Sequence, residues 1–241
     1  MEQNEKRIKV INKYNWEGKH TDVLTMERKI YTAKSRIEEI GNTPITLAYS
    51  GGKDAIVVAH MLSKIRKVEL AVFETCWAIE KTVEEGKKYA DDFGIKVQYE
   101  DSLSFEWLRK HPQVMFTSDV QDRALVDTVR QQRTIKRLTP TGSVSVFGRR
   151  KEENCVRRYL YETKAGWQLH PIFDWTFEDI RSYFRMFDLE IPWIYSTIFG
   201  KLEGQASFPS IQANHVGGMD KAWEIVSSLD SRFTKEKVMG V

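Results

Sequence analysis

The stretch of the chain that decides the fold reads ITLAYSGGKDAIVVAHML, at residues 45–62. Its first residues, Ile45–Tyr49, form an apolar run rich in β-formers, which predicts a buried strand. The residues from Lys53 to about Arg66 predict a helix that begins directly after a short turn at residues 50–52. The stretch therefore predicts a strand, a tight turn and a helix in immediate succession.

The turn has the chemistry of an anion-binding site. Gly51 and Gly52 let the backbone pass close to a ligand. The helix that follows leaves its first N–H groups unpaired and directs the positive end of its dipole at the turn. Ser50 adds a hydroxyl and Lys53 a cation, so we predict a cradle for the phosphates of a nucleotide. The alternative is a plain glycine turn, which leaves the Lys53–Asp54 pair at the start of an apolar helix unexplained.

The remainder of the chain predicts an α/β fold with a parallel twisted sheet flanked by helices, similar to a Rossmann fold. Strands that alternate with helix-length segments indicate parallel βαβ units. Further strands are predicted at Glu69–Phe73, Lys96–Tyr99 and Ser143–Phe147, and helices at Met26–Ile40, Ile79–Phe93, Phe105–Lys110, Asp119–Arg137, Thr176–Leu189 and Met219–Leu229. We expect three parts: an N-terminal arm (1–24), a nucleotide-binding domain (25–199) and a C-terminal helical and irregular extension (200–241).

Composition excludes several classes of protein. The 241 residues are 41% hydrophobic and 29% charged with a net charge of +3, which is ordinary for a soluble α/β protein and does not by itself predict nucleic-acid binding. No apolar run approaches the roughly 20 residues of a membrane helix, so we expect no membrane partner and a cytoplasmic location. Two cysteines exclude a disulfide framework, and the five histidines lack metal-ligand spacing, so no metal site held by protein side chains is predicted.

A second segment with binding chemistry reads FGRRKEENCVRR, at residues 147–158, directly after a predicted strand. Gly148 lets the backbone approach a ligand, and Arg149 or Arg150 can bind phosphate or sulfate with two hydrogen bonds. The alternative is a solvated basic loop. Because open α/β sheets bind ligands at the carboxyl ends of their strands, the position of the segment favours a site.

These strings resemble one known family. The sequence SGGKD at residues 50–54 is not a Walker A motif, but it resembles the PP-loop of the N-type ATP pyrophosphatases. The segment 147–158 resembles the Gly-x-Arg-x-x-Glu stretch of phosphoadenylylsulfate (PAPS) reductases and of the ATP sulfurylase small subunit. The resemblance runs from about residue 27 to residue 200. Within it, a helix capped at Thr176 is expected to pack on the sheet, with His170 and Tyr195 at most on the rim of the pocket.

The resemblance implies an adenine nucleotide alpha-hydrolase-like fold that binds ATP or PAPS, with Mg²⁺ as a further candidate. It implies catalytic roles for Lys53, Asp54, Arg149 and Arg150, with Asp54 placing Mg²⁺ or anchoring the loop. It implies that Trp77 stacks on the adenine. The residues expected to bind the nucleotide are Ser50, Gly51, Gly52, Lys53, Glu74, Thr75, Gly148 and Arg157.

Three functions stay open at this point. The first is adenylyl transfer from ATP to an oxyanion or a sulfur acceptor with release of pyrophosphate, and the sulfurylase resemblance adds a GTPase subunit as a candidate partner. The second is PAPS reduction by an external thiol, since no cysteine follows Cys155 to act as the family's C-terminal nucleophile. The third is a nucleotide-binding module without turnover that serves nucleic-acid modification through a basic stripe. That stripe comprises Arg123, Arg130, Arg133, Lys136 and Arg137, and a solvated helix face is its plainer interpretation.

Overall fold

A six-stranded sheet forms the centre of the molecule. The structure is a computed structural model, and it describes residues 16–74, 78–100, 104–117, 119–130, 134–152, 158–164, 166–197 and 212–240. The strands are β1 (Ile45–Ala48), β2 (Leu70–Glu74), β3 (Val97–Glu100), β4 (Val144–Phe147), β5 (Leu160–Thr163) and β6 (Gly166–Leu169).

The order of the strands creates a switch point in the sheet. The order is β3-β2-β1-β4-β6-β5, and every neighbouring pair is parallel except β5 with β6. From β1 the chain passes to β2 and β3 on one side and then returns to β4 on the other side. The carboxyl ends of β1 and β4 therefore flank the crevice where open α/β sheets bind ligands. The predicted α/β fold with a mainly parallel sheet is confirmed.

Helices cover the sheet and extend beyond it. The α-helices are α1 (Val23–Glu39), α2 (Lys53–Ile65), α3 (Glu80–Asp92), α4 (Phe105–Lys110), α5 (Val120–Arg130), α6 (Lys136–Leu138), α7 (Phe177–Met186), α8 (Ala213–Val216), α9 (Met219–Leu229) and α10 (Lys235–Met239). Short 3-10 helices lie at Pro112–Val114 and Trp193–Ser196. Among the helices in the described ranges, none combines the length and the apolar character that crossing a bilayer requires.

The first hydrophobic core lies between the sheet and helices α1, α2 and α7. Helix α2 is its central element, because every residue from Ala55 to Leu62 is buried. Helix α1 contributes a single apolar stripe at helical spacing, formed by Met26, Ile30, Ala33 and Ile37. Burial of these eight residues holds α2 firmly, and with it the turn that precedes it.

Among the residues that the structure describes, a second hydrophobic core contains helices but no strand. Trp107 and Leu108 of α4 pack there with Trp223 and Val226 of α9, and Phe233 lies between α9 and α10. Ile194 and Tyr195 of the second 3-10 helix join the same cluster. The described part of the C-terminal segment thus packs against residues from the middle of the chain.

Two points of the predicted secondary structure need correction. The hairpin of β5 and β6 was not predicted, although a glycine at residue 166 with φ +106° marks its turn. Helix α1 begins at Val23 rather than at residue 26, because the Asp22 side chain accepts a hydrogen bond from the Thr25 N–H and caps it. Of the single helix predicted over 119–137, the structure describes the helical segments α5 and α6; residues 131–133 lie outside the described part, so the continuity of this helix stays a prediction.

Candidate nucleotide-binding site

The turn after β1 and the segment after β4 lie side by side at the switch point. Ala48 at the end of β1 pairs in register with Phe147 at the end of β4. Residues 50–52 and 148–152 continue from these two positions at the same edge of the sheet. The two segments that the sequence singled out are thus neighbours in the structure.

The turn adopts a backbone that requires glycine at one position. Gly51 has φ +64°, in the left-handed region that side chains disfavour. A Cβ atom there would also lie 3.0 Å from Cε2 of Phe73 and 3.3 Å from Cα of Gly86 in helix α3. The Tyr49 hydroxyl donates to the Gly86 carbonyl oxygen at 2.8 Å. The loop therefore packs directly on α3, and Gly86 makes that approach possible.

The start of helix α2 has no side-chain cap of its own. Gly52 occupies the N-cap position with an extended backbone (φ −80°, ψ 160°). The Lys53 N–H donates instead to the hydroxyl of Tyr195 at 2.9 Å. Ser50 is exposed, and its Oγ accepts a long hydrogen bond of 3.4 Å from the Gly52 N–H. An exposed hydroxyl and a helix N-terminus thus face the switch point together.

Gly148 brings the end of β4 against the first turn of α2. A Cβ atom at this position would lie 2.6 Å from the carbonyl carbon of Asp54 and 2.8 Å from the Ala55 nitrogen. Real side chains do not tolerate such distances to a backbone. The expected close approach at Gly148 is therefore made to helix α2, and contact with a ligand stays a prediction.

Four charged side chains form a continuous network behind the loop. Lys53 Nζ lies 2.7 Å from Asp54 Oδ2, and Arg150 Nε lies 2.7 Å from Asp54 Oδ1. Arg150 Nη1 also pairs with the Glu152 carboxylate, which accepts the Phe177 N–H at 3.0 Å at the start of α7. Both cationic side chains are buried, with Lys53 1% and Arg150 0% exposed. The network connects α2, the segment after β4 and α7.

Asp54 is the anchor of this network. Burial alone would raise the pKa of its carboxyl, but the charges of Lys53 and Arg150 outweigh burial and lower the pKa below the ordinary value. Each carboxylate oxygen already accepts a hydrogen bond from a cation. Of the two roles expected for Asp54, this arrangement fits anchoring the loop and does not fit coordination of Mg²⁺.

Arg149 and His170 both contact Phe147 at the end of β4. The Arg149 guanidinium is 4.8 Å from the ring centre of Phe147. His170 is fully buried and stacks between Phe147 and Tyr161, at 5.6 Å and 5.5 Å. Burial, followed by the positive charge of Arg149, lowers the pKa of His170 to about 3. The imidazole is thus a neutral group in the core. The sequence had placed His170 at most on the rim of the pocket.

Several predicted residues cannot be placed in the site. Thr75, Trp77 and Arg157 lie outside the described residues, and of Glu74 only the backbone at the end of β2 is described. Their roles stay predictions. Of the basic stripe, Lys136 and Arg137 have described side chains, and Arg137 pairs with Glu100 at 2.6 Å.

Three residues of the site were missed or underrated. Gly86 carries a signal, because a glycine inside an amphipathic helix lowers helix stability and indicates close packing. Glu152 lies within the basic segment, and nothing in the local sequence indicates that its carboxylate would link Arg150 to the start of α7. Tyr195 was expected at most on the rim, whereas its hydroxyl bonds to the backbone of the loop.

Comparison with known proteins agrees with this arrangement. The model of the phosphoadenosine phosphosulfate reductase domain matches residues 44–207. This range includes both the loop at residues 50–54 and the segment at residues 148–152. No curated protein matches the chain.

Solved structures of similar fold have low sequence identity. An NH3-dependent NAD synthetase from Campylobacter jejuni is 15% identical, with 75% of this chain and 78% of the other covered and a TM-score of 0.51. A PAPS reductase from Candida auris is 15% identical over 74% and 94% of the two chains, with a TM-score of 0.48. A U34-tRNA thiolase from Methanococcus maripaludis is 14% identical over 85% and 78%, also at 0.48.

Proposed function

The chain belongs to the family of the phosphoadenosine phosphosulfate reductase domain, a branch of the PP-loop proteins, and from this membership we propose that it is an enzyme acting on ATP or a related adenine nucleotide. The phosphates bind at the loop Ser50–Asp54. The reaction takes place at the α-phosphate, where an acceptor receives the adenylyl group and pyrophosphate leaves.

One observation carries this proposal: the loop and the basic segment meet at the switch point of the sheet. A helix N-terminus and an exposed hydroxyl, Ser50, lie there with the cations of residues 53–54 and 149–152. These six residues comprise four cations and two carboxylates, so the surroundings of the loop are positive overall. Such surroundings favour a polyanion over a neutral ligand.

The chemistry that we propose balances without a redox partner. An acceptor oxyanion forms a new bond to the α-phosphorus, and the bond from that phosphorus to the oxygen bridging to the β-phosphate breaks. The bridging electron pair leaves with pyrophosphate, whose charge the loop and its neighbouring cations stabilise. Arg149, half-buried at the end of β4, is the cation of the basic segment that we assign to the acceptor or to the outer phosphates. Mg²⁺, if it takes part, is expected to arrive with the nucleotide, since Asp54 is committed to two cations.

Release of pyrophosphate from ATP tests this proposal directly. Wild-type protein is incubated with ATP, Mg²⁺ and candidate oxyanion acceptors, and pyrophosphate is measured. The variant Lys53→Ala is expected to lose the activity, whereas Lys88→Ala, which removes a lysine from an exposed pair, is expected to retain it. Because Lys53 is buried, Ser50→Ala serves as a second variant that leaves the core intact. Activity that is independent of Lys53 and Ser50 would contradict the proposal.

A second candidate function is reduction of PAPS, which the family match favours. Here a thiolate attacks the sulfur of the sulfonucleotide, adenosine 3′,5′-bisphosphate leaves, and a second thiol then releases sulfite as the two thiols are oxidised to a disulfide. In this alternative we assign both thiols to an external dithiol. Sulfite release from PAPS in the presence of a dithiol, without pyrophosphate release from ATP, would favour it.

A further inference from the structure

Tyr195 joins the second hydrophobic core to the phosphate-binding loop. Tyr195 lies in the 3-10 helix Trp193–Ser196, and 2% of its surface is exposed. Its ring packs with the helical core, while its hydroxyl accepts the Lys53 N–H at 2.9 Å from a residue 142 positions earlier in the chain. The contact falls on the first residue of helix α2.

This hydrogen bond satisfies one of the N–H groups that the first turn of helix α2 leaves unpaired. The first N–H groups of a helix are the ones that bind anions, and their direction is set by the residues around the N-cap. Gly52 at the N-cap has no side chain to accept from them. The Tyr195 hydroxyl therefore fixes the peptide between Gly52 and Lys53 from outside the loop.

The ring of Tyr195 also contacts the side chain of Lys53. Lys53 Nζ lies 5.7 Å from the ring centre, within the range of a cation–π contact, and 2.7 Å from Asp54 Oδ2. The ammonium is thus kept between an aromatic face and a carboxylate. One tyrosine positions both the backbone and the charge of Lys53.

Tyr195 itself is held by contacts outside the loop. The Trp193 N–H donates to Glu85 Oε2 at 2.9 Å, and the Tyr195 N–H donates to the Pro192 carbonyl oxygen at 3.0 Å. Its ring centre lies 5.5 Å from that of Trp16. These contacts come from outside the loop, so the position of the hydroxyl does not depend on the loop alone.

We propose that Tyr195 is a positioning residue through which the second core sets the geometry of the phosphate-binding loop. Its hydroxyl holds the Gly52–Lys53 peptide in the orientation that binds the pyrophosphate portion of the nucleotide. The inference rests on the proposed function, since it assumes that the loop binds those phosphates.

Tyr195→Phe tests the inference, because it removes the hydroxyl and keeps the ring. Dissociation constants of pyrophosphate, ATP and AMP are measured by titration calorimetry. We expect pyrophosphate and ATP to bind about tenfold more weakly, because the loss of one well-placed hydrogen bond is of this order. AMP lacks the pyrophosphate, so its dissociation constant is expected to change by less than about twofold on the same grounds.

Tyr183→Phe is the matched control. Tyr183 is also 2% exposed, and its hydroxyl bonds to His60 Nδ1 at 2.8 Å, two turns beyond Lys53 on α2. This variant is expected to leave all three dissociation constants unchanged. A loss of stability alone would not alter the ratio of the ATP and AMP constants, so that ratio separates positioning from general support of the fold.

The possible outcomes test the role of Tyr195 and the proposed function separately. The inference is supported if pyrophosphate and ATP bind more weakly to Tyr195→Phe and bind to Tyr183→Phe as they do to the wild type. Equal binding in wild type and Tyr195→Phe overturns it and leaves the proposed function standing. Tighter binding also overturns it, because the hydroxyl would then compete with a phosphate oxygen for the Lys53 N–H. Absence of pyrophosphate and ATP binding in the wild type would overturn the proposed function, and the inference with it.

Discussion

Asp54 illustrates how single residues determine the site. Its two carboxylate oxygens accept from Lys53 and Arg150, which are themselves 1% and 0% exposed. Buried cations are costly unless they are paired and hydrogen-bonded. The carboxylate therefore stabilises both cations in place and joins α2 to the segment after β4.

Asp54→Asn is predicted to destabilise the protein strongly. The substitution removes the carboxylate charge that the buried Lys53 and Arg150 side chains share, and breaking a buried pair in this way costs about 3 kcal/mol. Urea unfolding followed by circular dichroism measures the change. Glu190→Gln, which breaks an exposed pair with Lys88, is expected to cost less than about 1 kcal/mol. Similar losses in the two variants would contradict the role assigned to Asp54.

His170 makes stability depend on pH. Its pKa is about 3 in the folded protein, against 6.5 for an unperturbed histidine. Between these values the unfolded chain binds a proton that the folded protein does not bind, so the free energy of unfolding falls as pH decreases from 6.5 towards 3. Each titrating group of this kind contributes at most about 1.4 kcal/mol per pH unit.

His170→Gln is predicted to weaken this dependence. Unfolding free energies of wild type and variant are compared from pH 4 to pH 7. The slope is expected to become shallower for His170→Gln by up to about 1.4 kcal/mol per pH unit. An unchanged slope would show that His170 titrates normally in the folded protein.

At the scale of elements, the site depends on how closely helix α3 approaches the loop. A Cβ atom on Gly86 would lie 2.8 Å from Cε2 of Phe73 and 3.2 Å from Cα of Gly51. Alanine is favoured over glycine inside a helix by about 1 kcal/mol. Glycine stands at this position although alanine would stabilise the helix more. The loop occupies the space that a side chain would fill.

Gly86→Ala is predicted to lower stability and ATP affinity together. The added methyl group forces Phe73 or the loop to move, which costs about 1–3 kcal/mol for overpacking, more than the gain in helix propensity. Glu84→Ala, at an exposed position of the same helix, is expected to stay within about 0.5 kcal/mol of wild type. Unfolding and ATP titration of both variants check the prediction, and a Gly86→Ala protein that is more stable and binds ATP normally would contradict it.

The elements also show what could be predicted from the sequence. The strand β1, the turn and helix α2 follow from local pattern, and so does the capping box of Thr176 and Asp179 at the start of α7. The bonds of Asp54 to Arg150 and of Lys53 to Tyr195 join positions 96 and 142 residues apart. No local pattern specifies such pairs, which is why Arg150 was expected to face a ligand and Tyr195 to lie at the rim.

At the scale of the whole molecule, two hydrophobic cores support one site. The first core holds the sheet and helix α2, and the second holds the C-terminal helices and Tyr195. The second core could not be predicted, because its residues are separated in sequence and only their packing brings them together. A change deep in the second core is therefore expected to reach the loop through Tyr195.

Phe233→Ala is predicted to loosen the start of helix α2. Phe233 is fully buried in the second core, and its truncation costs about 3 kcal/mol. At the Lys53 amide, we expect hydrogen exchange to accelerate by more than the loss of global stability explains. At the Leu47 amide in β1, we expect the exchange rate to change only as much as global stability does. Met219→Ala, at a 46% exposed side chain, is the control and is expected to change neither amide. Parallel changes at Lys53 and Leu47 in Phe233→Ala would contradict coupling between the cores.

Binding of the phosphates at the loop is tested by a calorimetric titration of the wild-type protein with ATP, AMP, PAPS and adenosine 3′,5′-bisphosphate, repeated with Ser50→Ala and with Ser228→Ala as an exposed control. We expect ATP to bind at least about tenfold more tightly than AMP, since the loop adds hydrogen bonds to the outer phosphates. We expect Ser50→Ala to reduce this difference and Ser228→Ala to leave it unchanged. A preference for the ligands with a 3′-phosphate over ATP, or an ATP affinity that does not change in Ser50→Ala, would contradict binding of the outer phosphates at the loop.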